Sequence, residues 1–132
     1  EKHSKMQKYV RTLNNFYKTC RPLYEIETDW KGFEWLVVDD KINNVLAFNR
    51  YDNDGNCLLA VINFSGIDQP NYSFGQHNGK YRLVFNSDSR AFGGEGKVKK
   101  RVYNTKKISG KDKEYSVTLD IPKLACMYLI KE

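Results

Sequence analysis

A helical period confined to the first twenty residues limits what this chain can fold into. Met6, Tyr9, Val10, Leu13, Phe16, Tyr17 and Cys20 follow the i, i+3, i+4, i+7 spacing of one apolar stripe. Lys5, Lys8, Arg11, Asn14, Asn15 and Lys18 lie between them. Pro22 stops the helix, because its ring removes an N–H donor and clashes with the preceding turn. After it, short β-branched and aromatic runs alternate with Gly, Asn and Asp, and no helical period returns. A single helix with an apolar stripe needs a partner, so the chain is expected to be a piece of something larger. Leu13, Phe16 and Tyr17 are the expected anchors of the stripe.

The β-region reads as a close succession of strands. Trp35 to Val38 is the densest apolar run and ends at Asp39-Asp40. Val45–Tyr51 and Cys57–Phe64 flank Asp52-Asn53-Asp54-Gly55-Asn56, which predicts a hairpin. Tyr72–Phe74 and Tyr81–Phe85 follow, then a glycine-rich loop from Asn86 to Gly96 and a weak strand over Lys97–Tyr103. Tyr115–Ile121 alternates with its odd positions inward, Pro122 breaks it, and Ala125–Ile130 closes the domain. Seven or eight short strands in about 100 residues predict a mainly β fold, an antiparallel β-sandwich preceded by one amphipathic helix.

Composition narrows the classes further. With 132 residues, 40% of them hydrophobic, the chain is long enough to bury a core. No apolar run approaches the roughly 18 residues of a membrane span, so no membrane partner is expected. Cys20, Cys57 and Cys126 are odd in number and form no CxxC pair, which argues against a disulfide framework or zinc site and for reduced thiols in a cytoplasmic protein. The net charge of +6 is concentrated in residues 97–113. There Lys97, Lys99, Lys100, Arg101, Lys106, Lys107, Lys111 and Lys113 face Asp112 alone. This segment reads first as a solvated loop and second as a polyanion contact. No nucleic-acid partner is expected, because Tyr103 is the sole aromatic interleaved with its charges.

Several motifs fail on inspection. Asp52 to Asn56 opens like a calcium loop, but its sixth and twelfth positions are Cys57 and Asn63 rather than Gly and Glu. Gly93-Gly94-Glu95-Gly96-Lys97 resembles a phosphate loop, but Ala91 stands where Gly is required and Val98 follows the lysine. Asn63-Phe64-Ser65 and Asn71-Tyr72-Ser73 match the glycosylation sequon, a match frequent by chance. His3 and His77 have no nucleophile beside them in sequence, and Asp39-Asp40 should point to opposite faces of a strand. Nothing here implies a metal or a cofactor, and no catalytic residue is assigned. Trp30, Phe33 and Trp35 form an aromatic cluster read as an interface, with Trp35 as a core or interface anchor. Trp30 and Tyr103 sit in polar segments and are the candidate sugar contacts, should the domain touch sugar.

These pieces together resemble one family. Gln7–Tyr17 resembles the last helix of the catalytic barrel in bacterial-type 1,4-α-glucan (glycogen) branching enzymes of the α-amylase superfamily. Gly32-Phe33-Glu34-Trp35-Leu36-Val37-Val38-Asp39-Asp40 looks like the string that follows it. Asn44–Arg50, Val61–Ser65, Gly79–Arg82, Asn86–Asp88, Phe92–Gly94, Tyr115–Leu119 and Ile121–Ala125 fit the later pattern in order, while residues 97–113 do not. The resemblance implies that residues 1–22 are the last barrel helix, 23–33 a linker, and 34–132 the C-terminal β-sandwich. It implies catalytic carboxylates in an absent barrel, with that barrel and an α-glucan as partners, and self-association of the fragment through its helix. The rival reading is an independent carbohydrate-binding β-sandwich.

Overall fold

The computed structural model describes residues 1–111 and 114–132. Helix α1 spans Lys2–Thr19 and ends at Cys20, whose N–H returns to the Phe16 carbonyl. A short 3-10 turn at Arg21–Leu23 follows, with Pro22 at its start, and a second at Trp30–Gly32 leads into the first strand. Nine strands follow among the described residues, namely β1 Phe33–Asp40, β2 Val45–Tyr51, β3 Cys57–Asn63, β4 Gln69–Gly75, β5 Lys80–Asn86, β6 Val102–Asn104, β7 Lys106–Lys107, β8 Tyr115–Ile121 and β9 Cys126–Lys131. They form a six-stranded sheet in the order β1-β2-β3-β9-β5-β6 and a three-stranded sheet β4-β8-β7, and every pairing is antiparallel. The expected fold, a sandwich with one leading helix, is the observed one.

The core follows the period of two. Val45, Ala47, Leu59, Val61, Tyr81, Leu83, Met127 and Leu129 of the large sheet meet Phe74, Val117, Leu119 and Ile121 of the small one. Tyr115–Ile121 does turn its odd positions inward. The hairpin Asp52–Asn56 is also present. Asp52 is 4% exposed and its carboxylate takes the N–H groups of Asp54 and Asn56, an Asx-type turn that closes the loop. The weak strand expected over Lys97–Tyr103 shrinks to Val102–Asn104, and of the residues before it Val98 alone is apolar and packs against the core.

The outer face of the large sheet holds the helix. Register slips between Leu83 and Phe85, placing an extra β5 residue opposite β9, so that Phe85 pairs with Tyr128. The bulge turns Phe85 away from the core and under α1. Phe16 stacks there on Tyr128 at 5.6 Å and on Phe85 at 6.2 Å, while Tyr9 meets Phe85 at 5.7 Å and Phe92 at 5.4 Å. The stripe divides at this contact. Tyr9, Leu13, Phe16 and Cys20 face the sheet, while Met6, Val10 and Tyr17 remain exposed on one flank. Tyr17 therefore anchors less than expected. Its ring sits 5.8 Å from Tyr24 and its hydroxyl donates to Glu27 in the linker.

The segment after the helix is tied to the hairpin and to β2. Arg21 bridges Glu25 and Asp54 at 2.6 and 2.7 Å, and Glu25 accepts the Asn53 N–H. Arg50 donates to the carbonyls of Pro22 and Ile26. At the far end of β1, the Tyr72 hydroxyl donates to Asp40 at 2.5 Å and ties the two sheets together. That bond, with the Asn43 N–H, holds the Asp40 carboxyl down at about 2. Because the folded value is depressed, its contribution is full above the ordinary carboxylate value of about 4 and disappears as pH falls toward 2. Asp40→Asn and Tyr72→Phe should flatten that acid limb in urea titrations at pH 2, 3, 4 and 7. Parallel limbs for wild type and both variants would contradict this role.

Candidate functional site

Of the expected aromatic cluster, Phe33 and Trp35 meet on the outer face of the edge strand, with Phe48 as the third ring in place of Trp30. Trp35 pairs with Phe48 across β1 and β2, Phe33 stacks on Phe48 at 5.1 Å, and Phe33 meets Trp35 edge-on at 4.8 Å. Gly32 is required at its approach, since a Cβ there would lie 2.4 Å from the Ile26 carbonyl oxygen. Trp35, however, is 51% exposed, so it is not a core anchor. It misses the core because β1 is an edge strand with two register slips. A dense apolar run signals a strand, but burial depends on what lies across it.

The two candidate sugar contacts separate. Trp30 is 81% exposed, carried on a turn fixed by the Asp29 side chain accepting the Lys31 N–H at 2.9 Å. Tyr103 is 4% exposed and belongs to the core, its hydroxyl spent on the Lys100 carbonyl. Expecting its ring in solvent is therefore wrong. Short strand β6 pairs with β5 and turns Tyr103 inward opposite Tyr81, despite the charges around it.

The aspartates of segments 39–40 and 52–54 do not assemble a hydrolytic pair. Asp39 is exposed and Asp40 is committed to Tyr72, while Asp52 is committed to its turn and Asp54 to Arg21. Sequence reasoning missed a polar clamp at one end of the sandwich. Glu34 accepts from Tyr51 at 2.7 Å, from Asn49 at 3.0 Å and meets His77 at 2.9 Å, and Asn49 exchanges two 2.9 Å bonds with Gln76. Burial pushes the Glu34 carboxyl up, but the bonds from Tyr51, Asn49 and His77 outweigh it and hold the group below its ordinary value. The clamp joins β1 and β2 to the loop after β4 with one carboxylate, whereas retaining glycoside chemistry needs two about 5–5.5 Å apart. His77 was visible in the sequence, but the pairing of Glu34 with Asn49 across β1 and β2 was not.

The thiols supply no nucleophile. Burial pushes the Cys57 thiol up to about 11 and also raises those of Cys20 and Cys126. Among the described residues, no cluster of His, Cys, Asp and Glu could hold a metal ion. No helix among them is long and apolar enough to cross a membrane. Of the basic segment, Asp112 and Lys113 lie outside the described residues. Its Lys97 is neutralised by Asp68 and Glu95, at 2.7 and 2.6 Å.

What remains is surface apolar area. Met6 and Val10 on the free helix flank are 60% and 46% exposed, and a cleft containing Met6, Tyr9, Phe92, Phe64 and Leu124 adjoins them. Phe64 and Leu124 are themselves 60% and 71% exposed. Leu124 also adopts φ of +54°, uncommon for a residue with a branched side chain, held by its N–H on the Ser65 carbonyl. A contiguous apolar patch beside a strained backbone marks an interaction surface rather than a reaction centre. The sequence profile of the family described as "Alpha amylase, C-terminal all-beta domain" matches residues 35–132.

Proposed function

The chain belongs to the α-amylase C-terminal all-β domain family, and from that premise we propose that it is the non-catalytic C-terminal domain of a cytoplasmic 1,4-α-glucan branching enzyme. In this reading residues 1–22 are the last helix of the catalytic barrel, 23–33 the linker and 34–132 the domain. The observation that carries it is the helix, docked on one side through Tyr9, Leu13 and Phe16 and bare on the other at Met6 and Val10. A barrel would cover that bare flank together with Phe64 and Leu124, and in its absence a second copy of the chain would. The string Gly32–Asp40 supports the branching assignment within the superfamily.

The parent would cleave an α-1,4-glucan chain and rejoin it through an α-1,6 bond with retention, using two carboxylates of the barrel. This domain would brace the barrel, and Trp30 would offer an exposed ring to a glucan chain. That ring also favours the second reading, an independent sugar-binding module. The polypeptide that carries this chain at its C-terminus, incubated with amylose, should create branch points that a debranching enzyme releases. New reducing ends without such branch points would replace the transferase reading with a hydrolase. The isolated chain should leave the iodine colour of amylose unchanged, and a fall scaling with its concentration would place catalysis here. Retardation of the isolated chain in glycogen gels that is lost in Trp30→Ala would favour the sugar-binding reading.

A further inference from the structure

We propose that the cleft between α1, β5 and the segment 86–101 binds a phosphorylated small molecule. The cleft encloses about 390 Å³, within the usual range for small-molecule sites. Arg90, Lys99 and Arg101 line it and no carboxylate does. None of the three has an acidic partner among the described residues, in a chain where Lys97, Arg82 and Lys80 all have one. The two nearest acids are turned elsewhere. Glu95 pairs with Lys97 and Lys123, and the Asp88 carboxylate takes the N–H groups of Glu95 and Lys97. Three cations around one concavity, without an acidic partner among the described residues, form a focused positive field.

The backbone that carries Arg90 and Arg101 is fixed before any ligand arrives. Besides those two bonds to Asp88, the loop is closed by the Gly96 N–H on the Asp88 carbonyl and the Gly94 N–H on the Ser89 carbonyl. Arg90 lies across this loop with its Nε on the Glu95 carbonyl, at a glycine where a Cβ would approach its stem to 2.8 Å. Arg101 is held by its own carbonyl, which accepts the Leu83 N–H at 2.7 Å. Cations carried on backbone held in this way, above all the forked guanidinium, suit a phosphate dianion. Phe92 and Val98 supply an apolar floor, so the ligand carries an organic part with an apolar face. The cleft is on the Thr12 side of the helix, away from the Met6 and Val10 flank, and shares only Phe92 with the cleft beside that flank.

The test is a titration of the isotope-labelled chain with glucose 6-phosphate, adenosine monophosphate, inorganic phosphate and maltose, followed through backbone amide shifts. At least one organic phosphate should shift the amides of residues 83–101 saturably, and the two organic probes distinguish a sugar from a nucleotide source. Inorganic phosphate should bind about tenfold more weakly, because it leaves the apolar floor unused. The double variant Arg90→Gln, Arg101→Gln should lose about tenfold or more in affinity, and added salt should weaken the wild type. Lys100→Gln, a cation outside the cleft stacked on Tyr103, should bind like wild type. The same spectra show that each variant is folded. The proposal fails if neither organic phosphate saturates, if maltose shifts the same amides, if inorganic phosphate binds equally well, or if Lys100→Gln loses as much as the double variant.

Discussion

Replacing Asn63 with alanine should cost about 3 kcal/mol of unfolding free energy, because buried polar groups left without partners cost about 1–3 kcal/mol each. Asn63 ends β3 and is 1% exposed. Its amide nitrogen donates to the carbonyls of Ile67, Pro122 and Ile121, at 2.9, 3.2 and 3.4 Å, and its oxygen accepts the Ser65 N–H at 2.9 Å. One side chain thus closes the crossing of β3 into β4 and of β8 into β9. Asn63→Asp should be worse at neutral pH, since a carboxylate would face three carbonyl oxygens. Burial and those oxygens would raise the new group's value in the folded state, so its stability should improve as pH falls below that raised value. Urea midpoints of wild type, both variants and the exposed control Asn53→Ala would decide this. An Asn63→Ala midpoint equal to wild type at unchanged slope would show that the network is not holding the crossing. The same bonds leave no free amide on Asn63, so its sequon cannot be used in the folded chain.

What the sequence disclosed is what local chemistry determines. The Asp-Gly turn at 54–55 is written in residues that tolerate its geometry, and φ at Gly55 is +80°. The alternation in Tyr115–Ile121 and the stripe of α1 are likewise periodicities a reader can count. The misses arise where burial depends on a distant neighbour. Trp35 opens the most apolar run but lies on an edge, and Tyr103 sits among lysines but is turned inward by its pairing with Tyr81. Phe85 continues the alternation of Tyr81 and Leu83, yet one inserted residue sends it to the opposite face. No single-strand pattern announces that bulge, although the helix stripe requires an aromatic bed somewhere. The candidate sites were less legible still. Glu34 and His77 are 43 positions apart, and the charge of residues 97–113 reads as one block. Its pairing pattern neutralises Lys97 and gives Lys99 and Arg101 no acidic partner among the described residues, which only the fold can reveal.

The helix offers the other large effect. Alone it should be marginal. Glu1 makes no side-chain capping bond, no acid sits in the first turn, and 18 residues lie close to the length below which isolated helices fade in water. Its stability must come from docking, and the dock is aromatic. Phe16→Ala removes the ring between Phe85 and Tyr128 and should cost about 3 kcal/mol, at the low end for Phe truncation because the site is only partly buried. Loss of that contact should free the helix before the sheet unfolds. Amide exchange should therefore accelerate over residues 9–19 while the amides of β3 and β9 stay protected. Val10→Ala, on the bare flank, should change stability by less than about 0.5 kcal/mol. That contrast separates the face the helix uses here from the face it keeps for a partner. Unchanged exchange in Phe16→Ala, or equal losses in both variants, would mean that the stripe does not divide and that the bare flank is not reserved for docking.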